Sequence, residues 1–282
     1  MHLTLIPSPF SLDQHQAGMG KAPAALLASG LVAALEGDGH TVTVAEREED
    51  LGSGGRLERI GRNGAILAEA VVQAHQNGTL PVVLGGDCLV SIGVVSGLRR
   101  ALPDDFGIAW FDAHGDFNTP DTTLSGYLGG MPLAGCCGRG LAELRATAGL
   151  TRPVAEAHVA LLGVRDLDPP EKALLDTTPV RIFAPADTPN FAAEARPTYL
   201  HFDIDALDPA HAPGVNYPAP NGLDPATAIA AARQVRPHLA AFSLTALDPE
   251  RDVDGQTVRL GVELIRGVIW QRSDSRRRGR SG

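Results

Sequence analysis

Two apolar segments far apart in this chain end in the same way, and that coincidence constrains the fold more than any other feature. GIAWFDAHGD (107–116) closes on Asp112, His114 and Asp116, and TYLHFDID (198–205) closes on Asp203 and Asp205. Uninterrupted apolar runs bounded in this way read as strands buried on both faces. Successive strand side chains point to opposite faces, so residues at i, i+2 and i+4 converge on one side of the strand end. Four carboxylates clustered there repel one another and resist ionisation unless a cation joins them. With the imidazole they suit a hard divalent ion such as Mn²⁺ or Mg²⁺ better than a structural zinc, which prefers Cys and His. The surplus of carboxylates over one octahedral shell accommodates two ions, a common device for activating water.

The rest of the chain supplies a sheet to carry these ends. LTLI (3–6), TVTVAE (41–46), LPVVLGG (80–86), HVALLGV (158–164), VRIFAP (180–185) and LAAFSLTA (239–246) are further β-rich runs. Between them, residues 22–37, 56–76, 89–102 and 225–239 are rich in Ala and Leu at helical spacing. This alternation predicts an α/β fold, a three-layer α/β/α sandwich around a mostly parallel sheet. Ligands of such sheets bind beyond the carboxyl ends of the strands. The segments 85–88, 112–116, 165–168, 203–205 and 245–248 all fall at expected strand ends, so five strands feed one crevice. The glycines of LGSGGRL (Gly52, Gly54, Gly55) resemble a dinucleotide loop, but Leu57 holds the third glycine position and acidic residues separate the loop from its strand.

Composition adds bounds. With 44% hydrophobic and 20% charged residues over 282 positions, the chain is expected to form one domain over 1–271, followed by a basic, disordered tail at 272–282. Neither a signal sequence nor a membrane span is legible, and three cysteines make no disulfide framework, which points to a cytoplasmic protein. A net charge of −9 speaks against nucleic acid as a partner.

The ordered motifs MGKAPAALL (19–27), GGDC (85–88), DAHGDFNTP (112–120), TTLSGYLGGMP (122–132), GVRDLDP (163–169) and FDIDALDP (202–209) resemble the ureohydrolase family of arginases, agmatinases and formiminoglutamases. The resemblance implies a binuclear manganese hydrolase, with Asp112, His114, Asp116, Asp203 and Asp205 as ligands and Asp112 and Asp203 bridging. It also implies attack of a hydroxide held by the metal pair on a guanidino or imino carbon, and assembly as a trimer or hexamer. Asn118 and Ser125 match positions that hold a substrate α-carboxylate, and Asp168 matches the one that orders the α-amino group. Each of the first two also suits a turn. Together they favour a guanidino amino acid as the small-molecule partner.

Three positions depart from the family pattern. Cys88 stands where a sixth ligand, histidine, is expected; it reads either as a thiolate ligand, soft for Mn²⁺, or as a small buried residue. A subgroup acting on hydroxyarginine carries cysteine there and resembles this chain over the HGDFNTP and SGYLGGM stretches, which favours the ligand. Gly129 replaces a histidine credited with proton transfer, and Ala246 replaces a glutamate that pairs with the guanidinium, a contact of roughly 1.5–3 kcal/mol. Asp248 or Glu250 offers compensation for the latter. Tyr127 and His201 are the candidates for catalytic proton transfer, His201 alternatively serving only to orient a ligand.

Three functions follow. The leading one is hydrolysis of arginine or an Nω-modified arginine such as Nω-hydroxyarginine, giving urea or a substituted urea plus ornithine. The second is the same chemistry on agmatine, guanidinobutyrate or formiminoglutamate, and the third is a catalytically silent metal-binding relative.

Overall fold

The computed structural model describes residues 1–47 and 50–270; the tail 272–282 lies outside the described residues. In chain order the strands are β1 (His2–Ser8), β2 (Phe10–Ser11), β3 (Gln14–His15), β4 (Thr41–Val44), β5 (Leu80–Gly85), β6 (Gly107–Phe111), β7 (Val159–Leu162), β8 (Arg181–Phe183), β9 (Thr198–Asp203) and β10 (Leu239–Thr245). Eight of them form one sheet in the order β4-β1-β5-β10-β9-β6-β7-β8, every neighbouring pair parallel. β2 and β3 make a small antiparallel hairpin. All eight expected runs are strands of this sheet.

The helices are α1 (Ala22–Ala28), α2 (Leu31–Gly37), α3 (Arg56–Gln76), α4 (Val90–Ala101), α5 (Pro132–Cys136), α6 (Ala142–Thr147), α7 (Pro169–Leu175), α8 (Pro225–Ala232) and α9 (Gln256–Ile269). They cover both faces of the sheet, and strand alternation divides the core accordingly. Val82, Phe111, Phe202 and Leu244 pack on one side with Leu26 of α1 and Leu264 of α9. Val83, Trp110 and Tyr199 pack on the other with Leu67 of α3 and Val94 of α4. A Cβ on Gly93 of α4 would lie 2.6 Å from the carbonyl oxygen of Gly64 in α3, so these helices approach to backbone contact only because both positions lack side chains.

Three helical expectations are corrected. The run 22–37 is two helices, because Gly30 adopts a left-handed φ of 87° and ends the first. The run 225–239 stops at Ala232, and Pro237, which has no amide hydrogen for the carbonyl four residues back, sits in a separate 3₁₀ turn over Arg236–His238. No element was expected over 256–269, where α9 buries Val258, Leu264, Ile265 and Val268. The glycine loop before α3 is closed by Arg62, which donates to the carbonyls of Leu51 and Ser53. Among the described residues, no single helix is long and apolar enough to cross a membrane.

Candidate metal centre and substrate cavity

The four central strands, β5, β10, β9 and β6, end side by side, and their ends carry the ligand-grade residues. At β6, Trp110 Nε1 donates to Asp112 Oδ2 at 2.9 Å, while the His114 amide donates to Oδ1 at 2.7 Å. Beyond β9, the Asp205 amide donates to Asp203 Oδ1 at 2.8 Å, and the Ala113 amide reaches across to Asp205 Oδ1 at 3.1 Å. His114 Nδ1 lies 3.3 Å from Asp112 Oδ1 and 3.1 Å from Asp205 Oδ2. Cys88, just after β5, donates from Sγ to Asp203 Oδ2 at 3.0 Å and contacts Thr245 Oγ1 of β10 at 3.3 Å. Two triplets emerge whose donor atoms lie within 4.8 Å of one another: Asp112, His114 and Asp205, and Cys88, Asp112 and His201. Asp112 belongs to both, while Asp116 and Asp203 belong to neither.

The electrostatics call for cations. Burial, reinforced by Asp205, raises the Asp112 carboxyl to about 6. Burial and neighbouring carboxylates push Asp116 and Asp203 well above the ordinary range. Burial would raise Asp205 too, but hydrogen bonding and charge from His114 hold it low. Burial opposes charge on His114, yet Asp112 and Asp205 outweigh it and raise the imidazole to about 12. One imidazolium thus faces four buried carboxylates. Asp116 Oδ2 is buried without a hydrogen-bond partner among the described residues, and Asp116 holds a left-handed φ of 47° that non-glycine residues avoid. An orphaned carboxylate oxygen beside three other acids fits an oxygen-seeking divalent ion. The Cys88 thiol, pushed up by burial and by Asp203, keeps its proton until a cation displaces it.

A cavity of about 490 Å³ opens over these residues. Asn118, Ser125, Tyr127 and Asp168 all line it, as do Gly129 and Ala246. Asn118 Oδ1 accepts from Thr122 Oγ1 at 3.0 Å, and Ser125 Oγ accepts from the Tyr127 amide at 3.2 Å. Asp168 stands at the N-terminus of α7 without making a side-chain cap, which leaves its carboxylate available to the cavity. Arg165, from the same strand end, instead donates to a ring of carbonyls that includes Gly163, Asp205 and Ala219.

His201 is not brought to the cavity. It is fully buried and stacks on Trp110 with ring centroids 3.6 Å apart. Nδ1 lies 2.9 Å from Ser243 Oγ and 3.1 Å from the Tyr199 hydroxyl, and Nε2 lies 3.3 Å from Thr245 Oγ1. Burial holds its pKa down to about 3, so it is neutral and sits behind Cys88, out of a substrate's reach. Asp248 and Glu250 do not replace the carboxylate missing at Ala246. Asp248 accepts from the Glu250 amide within its own turn, and Glu250 pairs with Lys21 at the surface.

Other residues also line the cavity. Tyr217, which had no signal in the sequence, comes from a proline-rich connection, and Asp166, within the expected strand end 165–168, lies 3.9 Å from His114 Nε2. Glu171, raised by burial to about 7, accepts from the Phe117 amide at 2.8 Å and braces the loop that carries Asp116.

The family model described as "Arginase family" matches residues 1–270. The arginase of Bacillus caldovelox is 32% identical over 245 residues, covering 78% of this chain and 81% of that protein. Arginase-1 of Rattus norvegicus is 32% identical over 250 residues, covering 78% and 76%. Among solved structures, the crystal structure of arginase from Bacillus subtilis superposes with a TM-score of 0.86 at 26% identity, covering 96% of this chain and 99% of that one.

Proposed function

This chain belongs to the arginase family and is a hydrolase of amidine C–N bonds, and from that premise we propose that it cleaves the guanidino group of arginine or an Nω-modified arginine such as Nω-hydroxyarginine. The products are ornithine and urea or a substituted urea. The observation that carries this reading is the meeting, in one cavity, of an acidic cluster with groups suited to an amino acid. Asn118 and Ser125 offer neutral hydrogen bonds to an α-carboxylate, and Asp168 offers a charge to an α-ammonium.

Cys88, Asp112, His114, Asp116, Asp203 and Asp205 would hold two divalent ions, Mn²⁺ by family resemblance, with another metal favoured at Cys88 if the thiolate binds. Bound there, the ions would lower the pKa of water and offset negative charge formed at the guanidino carbon. The chain's own groups do the rest. Asn118, Ser125 and Asp168 fix the amino-acid end, so the guanidino carbon is presented to the acidic floor in one orientation. Water adds to that carbon, the carbon–nitrogen bond to the ornithine side chain breaks, and the departing nitrogen needs a proton. With one carboxylate oxygen on a cation, Asp116 would have its second oxygen free to take the proton of water and pass it to the leaving nitrogen. Tyr127 keeps its proton, because burial and nearby Asp87 push its phenol up, so it donates a hydrogen bond rather than shuttling.

Ala246 favours a second reading, the same chemistry on a different linear guanidine, since a carboxylate opposite the head group is missing. Release of urea or hydroxyurea from arginine, Nω-hydroxyarginine, agmatine and guanidinobutyrate separates the two. Turnover confined to the amino acids supports the first, and turnover confined to agmatine or guanidinobutyrate overturns it. Assembly as a homo-oligomer belongs to the same proposal and is read from the mass in solution.

A further inference from the structure

Gly129 and Tyr127 compete for one volume in the cavity wall. A Cβ built on Gly129 would lie 2.3 Å from Cε1, 2.6 Å from Cζ and 2.7 Å from the phenol oxygen of Tyr127, all far inside contact distance. The Tyr127 ring therefore fills the space that any side chain at 129 would take. Tyr217, about half exposed, packs beside the ring, with the two centroids 5.4 Å apart at 46°. Tyr217 also meets His114 edge-on, with centroids 6.4 Å apart. An aromatic line thus runs from the acidic floor to the wall.

Ala246, at a left-handed φ of 64°, offers no charge to the cavity, which the phenols of Tyr127 and Tyr217 also line. Phenols present ring faces, which attract a cation, and hydroxyls, which both donate and accept. A plain guanidinium has donors only. A guanidine bearing an N-hydroxyl adds an acceptor that the Tyr127 O–H can serve, and a site built to hydrogen-bond a hydroxyl rejects an analogue that lacks it.

We propose that Tyr127, seated in the volume left open by Gly129 and positioned by Tyr217, reads the guanidino head group and selects a substrate whose guanidine carries a hydrogen-bonding substituent. This rests on the amidinohydrolase reading above.

The test is a double-mutant cycle on the Mn²⁺-loaded full chain with Nω-hydroxyarginine and arginine. Tyr127→Phe lowers kcat/KM for hydroxyarginine about tenfold more than for arginine, the scale of one hydrogen bond. Tyr217→Phe moves the same ratio in the same direction by a smaller factor. Gly129→Ala, which leaves the phenol in place chemically but displaces it, costs about as much as Tyr127→Ala; in the Tyr127→Ala background it changes kcat/KM by less than about twofold. Metal content and calorimetric binding of ornithine, which lacks the head group, stay the same in all variants. Equal losses on both substrates, or a Gly129→Ala effect that persists unchanged without Tyr127, overturn the inference while leaving the hydrolase reading intact. A wild-type chain that hydrolyses neither substrate overturns both.

Discussion

Cys88 Sγ lies 3.0 Å from Asp203 Oδ2, so a thiol at the end of β5 hydrogen-bonds a carboxylate at the end of β9 across the intervening β10. Thr245, on β10, touches the same sulfur at 3.3 Å. Both ligand candidates are buried and both disfavour their charged forms, so a cation that binds them together displaces a proton from each.

The Co²⁺-loaded protein is accordingly expected to show a thiolate-to-metal charge-transfer absorption. Cys88→Ser loses that band and binds one ion at least about tenfold more weakly. A band retained in Cys88→Ser shows that the sulfur is not a ligand.

Asp168→Asn removes a charge from the ammonium end of the cavity. It is expected to reduce kcat/KM for the amino-acid substrate about 10- to 100-fold, mainly through KM, as loss of a charge-assisted contact does. Agmatine, which has no α-carboxylate and a different amino end, serves as the control substrate. An unchanged KM for the amino acid places its ammonium elsewhere.

His201→Ala opens a hole against Trp110 and strands the hydroxyls of Ser243 and Tyr199, costing about 2–4 kcal/mol in denaturant unfolding. The pH profile of kcat/KM in His201→Asn keeps the wild-type shape, since this imidazole stays neutral throughout the working range. Loss of one limb of that profile restores His201 as a proton-transfer group.

Glu171 gives a pH dependence with a definite sign. Burial raises its folded pKa from the ordinary 4.5 to about 7, so the folded chain binds more protons than the unfolded one between those values. Stability from this group is therefore full below about 4.5 and is lost as pH rises through about 7. In chelator, Glu171→Gln is expected to gain on wild type by on the order of 2 kcal/mol between pH 4.5 and 7.5, read from urea unfolding. A constant difference across that window contradicts the assignment.

Gly93→Ala forces a methyl group against the Gly64 carbonyl. Because the obstacle is backbone, the helices must separate, and a loss of about 2 kcal/mol in urea unfolding is expected.

The sheet was legible because its central strands are buried on both faces, which makes each an unbroken apolar run. α9 was overlooked because its pattern is interrupted by Gly261 and carries several β-branched residues; its buried stripe becomes evident only against Leu26 and Leu244. Alternation predicts that the acids gather at the strand ends, as the structure has them, but it puts His201 on the same side without giving its depth. That residue shares a face with Asp203, yet lies two residues deeper along β9, about 6.6 Å back at strand rise, under the floor rather than on it. Spacing likewise suggested Asp248 and Glu250 as substitutes at Ala246, when each is engaged within its own turn or at the surface. Tyr217 and Glu171 carry no local signature, since only the tertiary fold brings a proline-rich connection and a helix start to the cavity.

The central claim is that the acidic floor holds two divalent ions and hydrolyses a guanidino amino acid. The measurement that tests it most directly is ornithine formation from arginine and Nω-hydroxyarginine during titration of the metal-free chain with Mn²⁺. Formation that rises with metal and levels off at two ions per chain is the expected result. Absence of ornithine at every metal ratio, with the chain folded and the ions bound, contradicts it.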